Sequence, residues 1–359
     1  MIPTNYPYAF RILGPLDGPR KRVDADAAYA AYCSCDERAR VGMEAYLSHF
    51  RFDESFREHL ANTGSTRGFN GNTWAEELVF DIDAEGDLPA ALEQARKLTA
   101  TLTDTYEVPR KGFTRHFSGS KGFHIALPTR LWLADGGPNF HRVAGVFARR
   151  VAAAARVTID VGVYDRVRAL RAPNSLHPKT GLHKRHIPAD VFETISVDQI
   201  VELARTPAPF ERVNCNYMPI VDGLAWEWKH ANEIMAEREA AAEQQRAKLA
   251  AGLVKPTLNR LTLEIIRGEP VEPGDRHRLI YSAARDLAEK GAPRHLVDAL
   301  LREVSLDTGL PPREVDRQLD CGFNDATKAT PSAAMPLAGQ ADGPTDGQVA
   351  GPDLEEAAP

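Results

Sequence analysis

Cysteine is scarce in this chain. Its 359 residues hold four, Cys33, Cys35, Cys215 and Cys321, and no two of them form a CxxC pair. That argues against a disulfide framework and against a paired-thiolate zinc site, both of which need close, repeated spacings. Long apolar runs are missing too: no stretch approaches the ~20 residues that a membrane helix requires. The opening Met-Ile-Pro-Thr-Asn-Tyr-Pro lacks the basic-then-apolar layout of a secretory signal, so the reading is a cytoplasmic protein with no membrane partner. The phosphate-binding pattern GxxxxGK[ST] is absent, which argues against a Walker-type NTPase and against a built-in helicase motor. No internal repeat is present.

What is present is ordinary in bulk. Hydrophobic residues make up 43% and charged residues 26%, values of a chain that buries a real core. The length suggests two domains. A net charge of −6 speaks against a protein that coats nucleic acid, but the average hides local patterning. The stretch from Thr330 holds Asp342, Asp346, Asp353, Glu355 and Glu356 and no Lys or Arg. In contrast, Arg166 to Arg185 carries Arg166, Arg168, Arg171, Lys179, Lys184 and Arg185.

The chain is organised around Glu77-Leu-Val-Phe-Asp-Ile-Asp83. Leu78, Val79 and Phe80 read as a buried strand that ends in two carboxylates. Side chains alternate along a strand, so Asp81 and Asp83 share a face about 7 Å apart while Ile82 points to the core. Hard oxygen ligands held this way suit two Mg²⁺ or Mn²⁺ ions and phosphoryl chemistry. A strand end whose acids cap a following helix is the plain alternative.

Around that strand the pattern is α+β. Ala25 to Tyr46 reads as largely helical, Tyr46 to Phe56 is aromatic-rich with Arg51 and Arg57 interleaved, and Asn62 to Thr73 reads as a loop. Leu88 to Tyr106 has apolar residues at helical spacing with Pro89 at its start. Gly112–Phe117 and Phe123–Leu127 are strands joined by the turn Ser118-Gly-Ser-Lys-Gly122. Asn139–Ala155 is a helix, and Val157–Asp160 a last short strand. The order β-α-β-β-α-β is the split arrangement of ferredoxin-like and RNA-recognition-type modules. The expected layout is a domain over 1–228 with its core at about 40–187, and a solvated helical linker over 229–256. A small helical domain over 257–327 and a disordered acidic tail over 328–359 follow.

Three motifs fall on that sheet. The first is Asp81-Ile-Asp83. The second is Ser118-Gly-Ser-Lys-Gly-Phe-His124, whose glycines let backbone approach a phosphate and whose Ser118, Lys121 and His124 can donate to it. The third is Ile159-Asp160, a carboxylate able to complete a metal site. Beyond it lies Arg171-Ala-Pro-Asn-Ser-Leu-His-Pro-Lys-Thr-Gly181, with Arg171, Ser175, His177 and Lys179 as phosphate donors. Each piece alone has a blander explanation: a hairpin, a cap, a satisfied strand histidine, a solvated face. Their joint order points to nucleotidyl transfer.

This trio, followed by Ser-Leu-His-Pro-Lys-Thr-Gly, resembles the archaeo-eukaryotic primase superfamily. The lead-in Glu-Leu-Val-Phe-Asp-Ile-Asp is similar to small catalytic primase subunits, and Gly274 to Phe323 is more weakly similar to the helical C-terminal domain beside many plasmid and phage primases. The resemblance implies that Asp81, Asp83 and Asp160 bind two ions, Mg²⁺ or Mn²⁺. It implies that Ser118, Ser120, Lys121, His124, Arg171, Ser175, His177 and Lys179 lie at the nucleotide. Position 120 is Ser where archaeal and eukaryotic members carry Arg, and the cysteine-rich zinc knob has no counterpart. The implied function is primer synthesis on single-stranded DNA from NTPs or dNTPs during replication, with a separate helicase as partner. A primer-extending repair polymerase of the same superfamily, or a non-catalytic replication initiator that binds DNA, is the alternative.

Overall fold

The computed structural model describes residues 5–84, 86–214, 217–250, 257–272 and 274–329. The chain divides into two compact units, Met1–Gln244 and Gln245–Pro359. No helix among the described residues is long and apolar enough to cross a membrane.

The first unit opens with β1 (Tyr8–Leu13), β2 (Lys21–Asp24), α1 (Ala25–Cys33), β3 (Ala45–Ser48), β4 (Arg51–Phe52), α2 (Glu54–Thr63) and β5 (Thr73–Trp74). There follow β6 (Glu77–Asp83), α3 (Leu88–Asp104), β7 (Thr114–Phe117), β8 (Gly122–Pro128) and α4 (Phe140–Ala155). It continues with β9 (Ala169–Arg171), β10 (Arg185–His186), α5 (Val197–Leu203) and α6 (Asp222–Ala250), inside which the unit boundary falls. Two antiparallel sheets result. One runs β5-β4-β1-β3-β9 with β2 also on β1, and the other runs β10-β7-β8-β6.

The second sheet is built as its alternation dictates. Leu78, Phe80 and Ile82 are fully buried, as are Phe123, Ile125 and Leu127 opposite them. All six join a single core with α3 residues Leu92, Leu98 and Leu102 and α4 residues Val143, Phe147 and Val151. Each large side chain removed from water there contributes roughly 1.5–3 kcal/mol. α3 starts where expected, with Asp87 accepting from the Ala90 N–H and Pro89 in the first turn. The other face of the sheet, carrying Glu77, Asp81 and His124, is left for chemistry.

The structure corrects two expectations. Val157–Asp160 is extended but forms no strand; its tie to β6 is the Asp160 N–H donating to Asp81 O at 2.9 Å. The β6 edge it would have paired with is taken by the side chains of His49 and Tyr164. The fourth strand of that sheet is β10, on the far side of β7. The helix read over Ala25–Tyr46 stops at Cys33, because Cys35 and Arg40 adopt left-handed φ of 56° and 51° and lead into β3. After His186 the chain forms α5, opened by a Ser196/Gln199 capping box, and then the first turns of α6. Within α6, Trp228 packs on Phe140 at 5.3 Å, Phe147 at 5.6 Å and Trp132 at 6.0 Å.

The second unit packs α7 (Arg260–Ile266), α8 (Arg276–Glu289), α9 (Arg294–Asp307) and α10 (Pro312–Ala329) around Ile265, Ile280, Leu287, Val297, Leu301, Val315 and Leu319. Gly291 ends α8 with a left-handed φ of 83°, the stop that its Gly-Ala-Pro sequence announces. Cys215 and the tail from 330 lie outside the described residues.

Candidate active site

β6 and β8 are in full register, with Asp81 opposite His124 and Asp83 opposite Gly122. The alternation places both acids on the face away from α3 and α4. His124 Nε2 stands 3.3 Å from Asp81 Oδ1, and Lys121 Nζ stands 3.1 Å from Asp83 Oδ2.

The two acids differ sharply in environment. Burial works to raise the Asp81 carboxyl, but the His124 imidazole outweighs it, helped by Lys184 and Arg168, and holds the group below its usual value. Asp83 is raised by burial and then by the charge of Asp81, which Lys121 offsets only in part. Asp81 Oδ1 is buried without a well-aligned donor, and so is His124 Nδ1. Two repelling carboxylates with an orphaned buried oxygen form a donor set that suits a hard divalent cation.

Asp160 arrives by a different route. Its N–H donates to Asp81 O, while its Oδ1 accepts from the Gly162 N–H at 2.7 Å and so starts the short 3-10 turn Val161–Tyr164. Arg168 Nη2 lies 3.8 Å from the other oxygen. The structure thus ties the Asp160 backbone to the acid pair without gathering the carboxylates. Among the described residues, no three His, Cys, Asp or Glu side chains make a ready-formed metal cage.

The turn between β7 and β8 is held by Ser118, whose Oγ accepts from Gly122 N at 3.2 Å and Ser120 N at 3.4 Å. Its glycines make room for the protein's own atoms. Gly119 has φ +84°, and a Cβ there would lie 3.1 Å from Leu182 O. A Cβ on Gly122 would fall inside 3.0 Å of both Ile82 O and the Asp83 carboxylate. Thr180 Oγ1 donates to Gly119 O at 2.6 Å. The Ser-Leu-His-Pro-Lys-Thr-Gly loop therefore rests directly on this turn, an association the sequence implied but did not locate.

Within that loop the residues fare differently. Lys179 is exposed and His177 partly so, with Lys179 N donating to His177 Nδ1 at 3.3 Å. Burial, with Arg171 nearby, lowers the His177 imidazole. Arg171 is half spent, donating to Leu176 O and Tyr46 Oη, each at 3.1 Å. Ser175 is fully buried, and its Oγ donates to Ala172 O at 2.7 Å and Ala45 O at 3.1 Å. It shapes the loop and has no hydroxyl to offer a phosphate. Arg166, Lys184 and Arg185 likewise donate to backbone carbonyls, so the basic run is neither a solvated face nor one continuous patch.

The two sheets face each other across a cavity of about 100 Å³, lined by His49, Glu77, His116, His124, Arg171, Lys184 and Arg212 among others. Burial pulls the Lys184 ammonium down to about 8 and the His49 imidazole to about 4. Sequence reasoning missed His49, His116 and Tyr164. No local pattern marks them, since their roles arise from contacts with residues far along the chain.

No protein-family model matches the chain, and no curated protein matches it by sequence. Solved structures similar to it are a primase and a polymerase domain. The first is the crystal structure of primase RepB′, at 13% identity and a TM-score of 0.35, covering 90% of this chain and 95% of that one. The second is the polymerase domain from Mycobacterium tuberculosis Ligase D in complex with DNA, at 21% identity and a TM-score of 0.34, covering 60% and 78%. At those values the likenesses are slight, and the function proposed next is built on the site's own residues.

Proposed function

We propose that this chain is a nucleotidyltransferase that joins nucleotides on a single-stranded DNA template, a primase or primase-polymerase. The observation that carries this reading is the β6–β8 register. It sets the Asp81–Asp83 pair beside a turn, Ser118–Gly122, on which a loop bearing His177 and Lys179 rests. Acids able to hold cations and donors able to hold phosphates then flank one opening.

Asp81, Asp83 and Asp160 are the residues that would hold Mg²⁺ or Mn²⁺. Bound there, the ions would supply Lewis acidity for attack by the 3′-hydroxyl and departure of pyrophosphate. The chain's own part is binding and orientation. Lys121, Arg171, His177 and Lys179, with Ser118, Ser120 and His124, meet the charge of the incoming NTP or dNTP and of the pyrophosphate as its bond to the α-phosphorus breaks. Fixed donors aimed at phosphate oxygens are worth most where water is excluded. Ser175 is left out of this set. A separate helicase would open duplex DNA.

The test is synthesis on unprimed single-stranded DNA with labelled NTPs or dNTPs and either ion, with the Asp81→Ala/Asp83→Ala double variant as control. Short products from the wild type and none from the double variant are expected. Products only on annealed primers would assign the chain to extension. A wild-type chain that makes no product on either substrate with either ion sinks the reading.

A further inference from the structure

Among the described residues, β6 pairs with a strand along one edge only, that of β8. Its other edge is closed by three separate groups. His49 Nε2 accepts from the Val79 N–H at 3.2 Å, Tyr164 Oη donates to Val79 O at 2.8 Å, and the Asp160 N–H donates to Asp81 O at 2.9 Å. The second nitrogen of the same imidazole, Nδ1, faces Val163 O at 2.8 Å. Val163 belongs to the short turn that Asp160 caps. One ring therefore reaches from the strand that carries Asp81 and Asp83 to the turn that carries Asp160.

The chemistry of the two contacts fixes the state of the ring. A nitrogen facing a carbonyl must bear the proton, and one facing an N–H must not, so His49 is the neutral Nδ1–H tautomer. The ring is buried and stacked on Phe50 with centroids 4.5 Å apart, and tilted against Tyr164 at 5.6 Å. A strand in this place would have bonded Val79 and Asp81 equally well. A side chain does something a strand does not: it leaves the Asp160 turn as a separate piece, then pins it at a set distance from the acid pair.

We propose that His49 is a positioning residue, a two-ended clamp whose imidazole sets the spacing between the Asp160 carboxylate and the Asp81–Asp83 pair, and through it the affinity of the three acids for divalent metal. Tyr164 is the second arm of the same clamp, from inside the turn to the same residue of β6. This rests on the reading of the three acids as metal holders, and it goes beyond it by naming what sets their separation.

A buried ring also stabilises the fold by packing, and the test must separate the two roles. Mn²⁺ affinity of the full chain, followed by electron paramagnetic resonance of the free ion, is measured for wild type, Asp83→Asn, Asp160→Asn, His49→Phe and the His49→Phe/Asp160→Asn double variant. His49→Phe keeps a ring on Phe50 and loses both hydrogen bonds. Groups bonded directly to metal ligands are worth on the order of 10- to 100-fold in metal affinity; His49 acts one step further out, through backbone, and His49→Phe should weaken Mn²⁺ binding by up to about tenfold. With Asp160→Asn already in place it should add less than about twofold, because a clamp acts only through the ligand it holds. Equal losses in both backgrounds would mean general loosening and would overturn the clamp. If His49→Phe does not fold, Tyr164→Phe, which deletes one hydroxyl, enters the same cycle with the same expectations. Weakened binding in Asp83→Asn and Asp160→Asn with none in the clamp variants overturns this inference alone. Unchanged Mn²⁺ binding in the acid variants overturns the metal reading and the clamp with it.

Discussion

Gly122→Ala is the smallest change that tests whether the acid pair is built as described. Gly122 sits opposite Asp83 at the first residue of β8, and the methyl of alanine would meet both Ile82 O and the Asp83 carboxylate inside 3.0 Å. Neither obstacle is the loose end of a long side chain, so relief requires β8 to part from β6, or Asp83 to rotate away, by on the order of 0.5–1 Å. Overpacking of this kind costs roughly 1–3 kcal/mol. At about 2–4 °C per kcal/mol for a unit of this size, the melting temperature should fall by several degrees. The functional cost should be larger than the structural one. A displacement near 1 Å in a catalytic arrangement is worth up to about 100-fold in rate, so template-directed incorporation should drop by one to two orders of magnitude in a protein that is still folded at assay temperature. The assay is nucleotide incorporation on a defined template beside a thermal melt of the same preparation. A variant with wild-type melting and wild-type incorporation would refute the close approach of Gly122 to Asp83.

Two further outcomes are expected. Lys121→Ala and His177→Ala should each raise the nucleotide KM, roughly tenfold for a lost charged hydrogen bond. Only Lys121→Ala should also move the acid limb of activity to higher pH: Lys121 is the group that holds down a carboxyl which burial and Asp81 push up, so Asp83 is protonated sooner as pH falls. The second outcome concerns acid stability. Burial depresses His49 to about 4 from the 6.5 of an ordinary histidine, so protonation favours the unfolded chain. Its contribution is full above pH 6.5 and is lost as pH falls toward 4, by roughly 3 kcal/mol at most from the ~1.4 kcal/mol per unit that linkage assigns. His141 and His186 are depressed to about 4 as well and steepen the same window. Chemical denaturation at pH 7 and pH 4.5 should show a smaller acid loss for His49→Phe than for the wild type, and an equal loss would contradict the assigned role.

What could be read from the sequence was whatever is written locally. β6 was legible to the residue because an apolar run with acids at alternate positions obeys a period of two. The expectation for α3 rested on Pro89 and a regular apolar spacing. Ala25 to Tyr46 was misread because its first half is rich in alanine, while the left-handed backbone at Cys35 and Arg40 leaves no comparable mark. Val157–Asp160 was misread for a different reason. Its residues favour a strand, and a strand was denied it by the His49 and Tyr164 side chains on the partner edge, which no local pattern announces. Ser175 shows the opposite failure. Its motif suggested a phosphate donor, and only the tertiary fold reveals two carbonyls already accepting from its hydroxyl.

The acid pair carries one more consequence of the two-sheet enclosure. Asp81 and Asp83 are equivalent in the sequence, each an aspartate on one face of one strand. In the fold Asp81 is turned inward and held low by His124, while Asp83 sits at the rim, raised, with Lys121 across it. Lys121 is therefore a positive charge set directly against Asp83. In the proposed reaction the same ammonium is assigned to a phosphate. The two assignments are compatible because Lys121 is an exposed, long side chain whose bond to Asp83 is solvent-screened and cheap to break. A residue that neutralises the acid and then turns to the triphosphate needs that flexible stem and compact charge. Lys121→Met, which keeps the stem and loses the charge, should accordingly raise the nucleotide KM, and steady-state kinetics at fixed Mn²⁺ decides it: an unchanged KM would mean that Lys121 serves Asp83 alone.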